Sequence, residues 1–292
     1  MPMEWDHLQK RSLTKIKTQF IDDIKQAEGL ILTSPSDLGV CLNGGRRGAS
    51  LGPRSLLSTL QNFSYTQGFP KVKTLPVSNP HEEIDFDKAQ LHQAGRIHEA
   101  LQLFNGHQIC HLGGGHDHVY PLIAALSKMT KNITVINLDA HLDTRTDHVN
   151  HSGTPFRQAS KIWTHGRFRL LQVGIHDYAN AHSNYEKLPN GEMKIYSDDD
   201  WNMVAGHIEN QIDPDDETIV LSLDADALCA SFMEGVSAVN PNGLSLKFVS
   251  DCLQSYRGWT QEKNQFFGIY EYNPVYDNLS QKGARALSSL MH

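Results

Sequence analysis

Short apolar runs that each end on a polar or glycine-rich cluster recur along this chain, and they constrain its fold more than any other feature. They lie at 38–42, 108–112, 133–138, 170–175, 219–223 and 266–270. β-Branched and aromatic residues are common in them, as expected of strands buried on both faces, so all six read as strands. Helical patterns fall between them, at 89–104, 119–129 and 246–256. Strand alternating with helix predicts an α/β fold, a mostly parallel sheet with helices packed on its faces. Ligands of such folds bind at the carboxyl ends of the strands, which is where the polar clusters fall.

No internal repeat or low-complexity segment interrupts the pattern, and residues 1–292 read as a single domain. Lys and Arg number 26 against 33 Asp and Glu, a formal charge of −7 with no long basic run. That balance argues against a nucleic-acid partner. Nothing approaches the ~18 consecutive apolar residues of a membrane span. Met1 to Lys10 contains Glu4, Asp6 and Lys10 and no apolar stretch of the signal-peptide kind, so a cytoplasmic protein is expected. The four cysteines, Cys41, Cys110, Cys229 and Cys252, are widely spaced with no C-x-x-C pair, and read as thiols of a reducing compartment. The first 30 residues read as a peripheral element. Ser78-Asn79-Pro80 and Asp213-Pro214-Asp215-Asp216 read as turns, and Asp198-Asp199-Asp200 as a solvated helix start. The chain also has 16 His, an excess that points to metal or proton chemistry.

Three clusters carry that chemistry. The strand at 133–138 runs into Asp139-Ala140-His141-Leu142-Asp143, with metal-ligand side chains at i, i+2 and i+4. In extended chain that spacing places all three on one face. Crowded carboxylates repel one another unless a cation sits between them. The strand at 219–223 runs into Asp224-Ala225-Asp226 and repeats the logic. A lone D-x-D is more often a turn, but two such strand ends in one sheet are hard to ascribe to coincidence. Carboxylates with imidazole and no thiolate suit a hard divalent ion such as Mn²⁺ better than structural zinc. The third cluster is Gly113-Gly114-Gly115-His116-Asp117. Its glycines allow close backbone approach or positive φ. It matches neither phosphate-loop nor dinucleotide spacing.

In this order the three clusters resemble the signatures of the ureohydrolase superfamily, which contains arginases, agmatinases and formimidoylglutamases. The likeness spans most of the chain, since Gly45-Arg46-Arg47-Gly48-Ala49 and Gly52-Pro53 resemble the superfamily's amino-terminal motif. It implies a three-layer α/β/α arginase-like fold and two Mn²⁺ per chain. His116 and Asp143 would bind one ion, His141 and Asp226 the other, and Asp139 and Asp224 both. It further implies water as the nucleophile, held by Asp143, and a homo-oligomer, commonly a trimer or hexamer.

Within the superfamily, the Gly-Gly-Gly-His-Asp run, Ser152-Gly153-Thr154-Pro155-Phe156-Arg157-Gln158 and Gly235-Val236-Ser237-Ala238 most resemble formimidoylglutamases. Those hydrolyse N-formimidoyl-L-glutamate to L-glutamate and formamide in histidine degradation. Two positions after the D-A-H-x-D motif, where arginases carry Asn, this chain has Arg145. A guanidinium can clamp a carboxylate through two hydrogen bonds, although an ion pair with Asp147 would explain the residue equally well. Glu271 matches the strand-end Glu that faces the substrate's cationic group. Arg145, Ser152, Gly153, Thr154 and Glu271 are thus the expected substrate contacts, with Asp143 and Glu271 catalytic. The proton-carrying His of arginases aligns with Ser152, and whether neighbouring His151 faces the site stays open. So do two other readings, a guanidino-substrate ureohydrolase (arginase, agmatinase or guanidinobutyrase) and a catalytically silent relative.

Overall fold

Eight strands, β2 (Gly29–Ser34), β4 (Val72–Pro76), β5 (Gln108–Gly113), β6 (Ile133–Leu138), β7 (Phe168–Val173), β8 (Glu192–Tyr196), β9 (Thr218–Asp224) and β10 (Gln265–Tyr270), form one sheet. Their order is β4-β2-β5-β10-β9-β6-β7-β8, and every adjacent pair is parallel. A two-residue pair, β1 (Thr14–Lys15) with β3 (Ser64–Tyr65), lies outside it. This is a computed structural model, and it describes residues 14–65, 68–78, 85–197, 200–213, 216–261 and 263–292.

The central strands bury both faces with a period of two, which gives the sheet two apolar layers. Ile136 and Leu138 of β6, Leu221 and Leu223 of β9, and Phe267 and Ile269 of β10 point into one core. Ile133 and Val135, Val220, and Phe266 and Tyr270 point into the other. The first layer is closed by α2 (Gly52–Asn62), α6 (Trp201–Glu209), α7 (Leu246–Trp259) and α8 (Lys282–Leu290), through residues such as Leu60, Val204, Leu253 and Leu287. The second is closed by α3 (Phe86–Leu103), α4 (Val119–Leu126) and α5 (Pro155–Ile162), through Ile97, Ile123 and Phe156. The expected three-layer α/β/α arrangement with a parallel sheet is therefore present. No helix among the described residues is long and apolar enough to cross a membrane.

Five of the six expected strands are strands, and the sixth is corrected. Residues 38–42 form a short helix, α1 (Leu38–Leu42), in which only Gly39 and Val40 are buried. A five-residue apolar run does not by itself separate helix from strand. The sheet position beside β5 is instead taken by Gly29–Ser34, which is buried throughout. The peripheral reading thus fails at residues 29 and 30, which open an interior strand. Of the acidic run, Asp198 and Asp199 lie outside the described residues, while Asp200 caps α6 by accepting from the Asn202 N–H. Asn79, Pro80, Pro214 and Asp215 of the two expected turns also lie outside them. None of the four cysteines is paired, and only Cys252 is fully buried.

Candidate active site

Four adjacent strands, β5, β10, β9 and β6, occupy the middle of the sheet, and all the predicted ligands leave their carboxyl ends. His116 follows β5, Asp139 to Asp143 follow β6, Asp224 ends β9 with Asp226 two residues on, and Glu271 follows β10. Because the sheet is parallel, segments far apart in sequence meet along one edge.

The donor atoms form two groups that share Asp139. One contains His116, Asp139, Asp143 and Asp224, the other Asp139, His141 and Asp226, with the ligand atoms of each within 4.8 Å of one another. Around His116 Nδ1 lie Asp143 Oδ2 at 2.9 Å, Asp139 Oδ2 at 3.1 Å and Asp224 Oδ2 at 3.1 Å. His141 Nδ1 lies 3.2 Å from Asp226 Oδ2 and 3.5 Å from Asp139 Oδ1. The convergence does not arise from extended chain, however. β6 ends at Leu138, and Asp143 turns back with φ 50°. Among the described residues three non-glycine residues have positive φ, and two of them are Asp143 and Glu271 at 62°. Such strain persists where surrounding structure enforces it and is characteristic of functional sites.

Hydrogen bonds fix the remaining atoms of the cluster. His116 Nε2 lies 2.8 Å from Ser222 Oγ, which leaves Nδ1 to the carboxylates. Its ring stacks on Tyr270 at a centroid distance of 5.0 Å. Tyr270 is tied to buried His111 by a 3.1 Å contact, and His111 Nε2 lies 2.8 Å from Ser34 Oγ. Burial holds His111 down at about 3, so it stays neutral. Asp139 Oδ1 accepts from the His141 N–H at 2.7 Å, and Asp224 Oδ1 from the Asp226 N–H at 2.8 Å. Glu271 Oε1 accepts from the His116 N–H at 2.9 Å.

The electrostatics call for a cation. Burial pushes Asp224 well up and Asp143 up to about 6, in both cases helped by the charge of Asp139. Burial likewise pushes Glu271 up to about 8. Against the pull of burial, the carboxylates raise His116 and His141 too. Asp226 Oδ1 is buried without a hydrogen-bond partner, and His116 Nδ1 faces three carboxylate oxygens at once. Four carboxylates and two imidazoles without a thiolate form a donor set that fits hard divalent ions.

Above the cluster opens a cavity of about 550 Å³, lined among others by His141, Asp143, Asp224, Asp226 and Glu271. Arg145, Ser152 and Gly153 also line it. Thr154, expected at the substrate, does not. Its hydroxyl turns into the start of α5 and bonds the His151 carbonyl at 2.9 Å and Gln158 Oε1 at 3.1 Å. His151 is also buried away from the cavity, with Nε2 2.7 Å from Asp147. Asn43 lines the cavity without having been singled out, and Asp147, weighed in the sequence as an ion-pair partner of Arg145, lines it as well and makes that pair at 2.6 Å. No local motif marks Asn43, because it reaches Arg145 from the end of α1, 102 residues earlier in the chain.

Close approach explains the glycine run, and positive φ does not, since none of Gly113, Gly114 and Gly115 adopts it. A Cβ at Gly114 would collide with the Ser36 carbonyl oxygen, and the Gly114 carbonyl accepts from the Glu271 N–H at 2.8 Å. Gly114→Ala is therefore expected to destabilise the fold by about 1–3 kcal/mol and to lower activity as Glu271 shifts. Thermal unfolding of the variant measures the first effect, and an unchanged midpoint would contradict it.

Fold and site together define a parallel α/β protein with a buried carboxylate–imidazole cluster suited to divalent metal. The Arginase family model matches residues 28–292, and the chain belongs to that family. It is 32% identical to the formimidoylglutamase of Chromobacterium violaceum over 265 residues, covering 87% of this chain and 82% of the relative. It is 31% identical to that of Staphylococcus aureus over 273 residues, covering 90% and 84%. Among solved structures, Bacillus subtilis formimidoylglutamase superposes with a TM-score of 0.82 at 21% identity, covering all of this chain and 94% of the other. Trypanosoma cruzi formiminoglutamase with Mn²⁺ superposes at 0.80 with 22% identity and 96% coverage of each.

Proposed function

We propose that this chain is a formimidoylglutamase, hydrolysing the non-peptide C–N bond of N-formimidoyl-L-glutamate to give L-glutamate and formamide. The observation that carries this reading is one cavity with a metal-binding floor, a buried carboxylate beside it in Glu271, and an arginine on its wall in Arg145. The names of the relatives support it.

His116, Asp139, His141, Asp143, Asp224 and Asp226 would hold two Mn²⁺. Ions bound there would lower the pKa of a water molecule and offset the negative charge that builds in the transition state. The chain's own groups do the rest. Asp143 orients the attacking water by accepting a hydrogen bond from it. Glu271 faces the cationic formimidoyl nitrogens and turns the planar carbon towards the water. Its position is fixed by the 2.9 Å bond from the His116 N–H. Arg145 takes a carboxylate of the substrate, and Ser152 and Gly153 supply polar groups beside it. The reaction adds water across the C–N bond, so the oxygen leaves in formamide and a proton leaves on the glutamate nitrogen. The same reading has the chain act as one arginase-like domain, assembled as a homo-oligomer in the cytoplasm.

Mn²⁺-loaded protein is expected to release formamide from N-formimidoyl-L-glutamate, and no urea from arginine, agmatine or guanidinobutyrate. Urea without formamide would replace this reading by a guanidino-substrate hydrolase. No product from any substrate would support the catalytically silent relative.

A further inference from the structure

Asn43, Asp147, Ser152 and Gly153 gather around Arg145, the only Lys or Arg among the described residues lining the cavity. Its guanidinium is held from two sides. Nη1 donates to Asn43 Oδ1 at 2.6 Å, and Nη2 lies 2.6 Å from Asp147 Oδ2. Asn43 donates in turn to Ser152 Oγ at 3.1 Å. On the far side, His151 Nδ1 accepts from the Gly153 N–H at 3.0 Å. That bond leaves the proton on Nε2, which donates to the same Asp147 oxygen at 2.7 Å. The Arg145 N–H closes the circuit on the Gly153 carbonyl at 3.0 Å. The end of α1 and the 145–153 loop are thereby joined in one hydrogen-bonded ring.

A single half-exposed ion pair would do little to fix an arginine. Here two partners, Asn43 and Asp147, each held by a further hydrogen bond of its own, remove freedom from a long side chain that otherwise has to be lost when a ligand binds. The lining also contains five carboxylates, those of Asp143, Asp147, Asp224, Asp226 and Glu271. An anionic ligand needs a fixed positive group away from the metal cluster, and the lining offers one such side chain.

We propose that Asn43, Asp147 and His151 are positioning residues that hold the Arg145 guanidinium ready for a carboxylate, making the site selective for amidines with an acidic tail. The inference rests on the functional reading above for the identity of the substrate. It also assigns His151 a place in the ring rather than in proton transfer.

The test compares Asp147→Asn, Asn43→Ala and Arg145→Gln with the unsubstituted enzyme. Steady-state kinetics use N-formimidoyl-L-glutamate and its two monoamides, and calorimetry measures L-glutamate binding to the Mn²⁺-loaded protein. Asp147→Asn and Asn43→Ala should each raise KM for the diacid roughly tenfold while kcat stays within about threefold. L-Glutamate binding should weaken by a similar factor. Preference for the diacid over one of the monoamides should fall towards that of Arg145→Gln. A merely loosened loop would affect diacid and monoamides alike, and that pattern would overturn the proposal. It is equally overturned if both ring variants keep KM and L-glutamate affinity within about twofold while Arg145→Gln loses them. An Arg145→Gln enzyme with unchanged preference would overturn the ring and the carboxylate role of Arg145 together. Loss of L-glutamate binding in all three variants, with no formamide from the unsubstituted protein, would support the ring and sink the proposed activity.

Discussion

Asp139→Ala is expected to lower formamide release by about three orders of magnitude or more and to leave the chain with little bound manganese. Asp139 is the one residue common to both donor groups, and its side chain is fully buried. One oxygen lies 3.1 Å from His116 Nδ1, and the other accepts from the His141 N–H. Its removal therefore damages both halves of the cluster at once. Asp226 belongs to one group only, so Asp226→Ala should lose about half the metal. Elemental analysis after dialysis, beside the activity assay, distinguishes the two variants. An Asp139→Ala protein that retained its full complement of metal would refute the shared-ligand role.

Glu271→Gln should behave differently, keeping its metal and losing about two to three orders of magnitude in kcat/KM. Glutamine can still accept from the His116 N–H, so the backbone contact that seats the side chain survives. What disappears is the negative charge that bound cations and a cationic amidine would hold on a carboxyl raised by burial to about 8, in a site sheltered from water where a charge acts strongly. The side chain is itself buried, and its backbone is held at φ 62° by the structure around it. Manganese content equal to the unsubstituted protein together with unimpaired turnover would remove Glu271 from the reaction. Loss of metal in this variant would instead make it a support for the cluster.

The parts of this molecule visible in its sequence are those whose physics is local. Residues 133–138 and 219–223 announce themselves as interior strands because both faces are apolar and acids follow immediately. β4 and β8 went unannounced because they lie at the two edges of the sheet and are half covered, so neither shows an unbroken apolar run. β2 straddles the end of the polar first 30 residues, where its opening two residues lie, although all six of its residues are buried. At the site, the acids and imidazoles were legible because Asp139, His141 and Asp143 sit within five residues, Asp224 and Asp226 within three, and His116 directly follows three glycines. Ser222 and Tyr270 reach His116 from other strands, and the Asn43–Ser152 contact spans 109 residues. Spacing along the chain carries no trace of such meetings. The histidine excess illustrates the point. His111, His118 and His151 are buried in polar networks that hold neighbours in place, and only the folded arrangement separates them from His116 and His141.

The order of strands also fixes when the metal centre can exist. β2, β4 and β5 form one contiguous block of the sheet and β6, β7 and β8 another, each complete well before the end of the chain. β9 and β10 are the last strands made, and they enter between the two blocks, β10 beside β5 and β9 beside β6. Until that insertion, His116 on one block has no fixed distance to Asp139 on the other, and Asp224 and Asp226 have no place at all. A chain growing on the ribosome therefore cannot assemble the cluster from its first two hundred residues. A metal centre drawing on all six residues therefore needs the two-strand gap in the sheet closed.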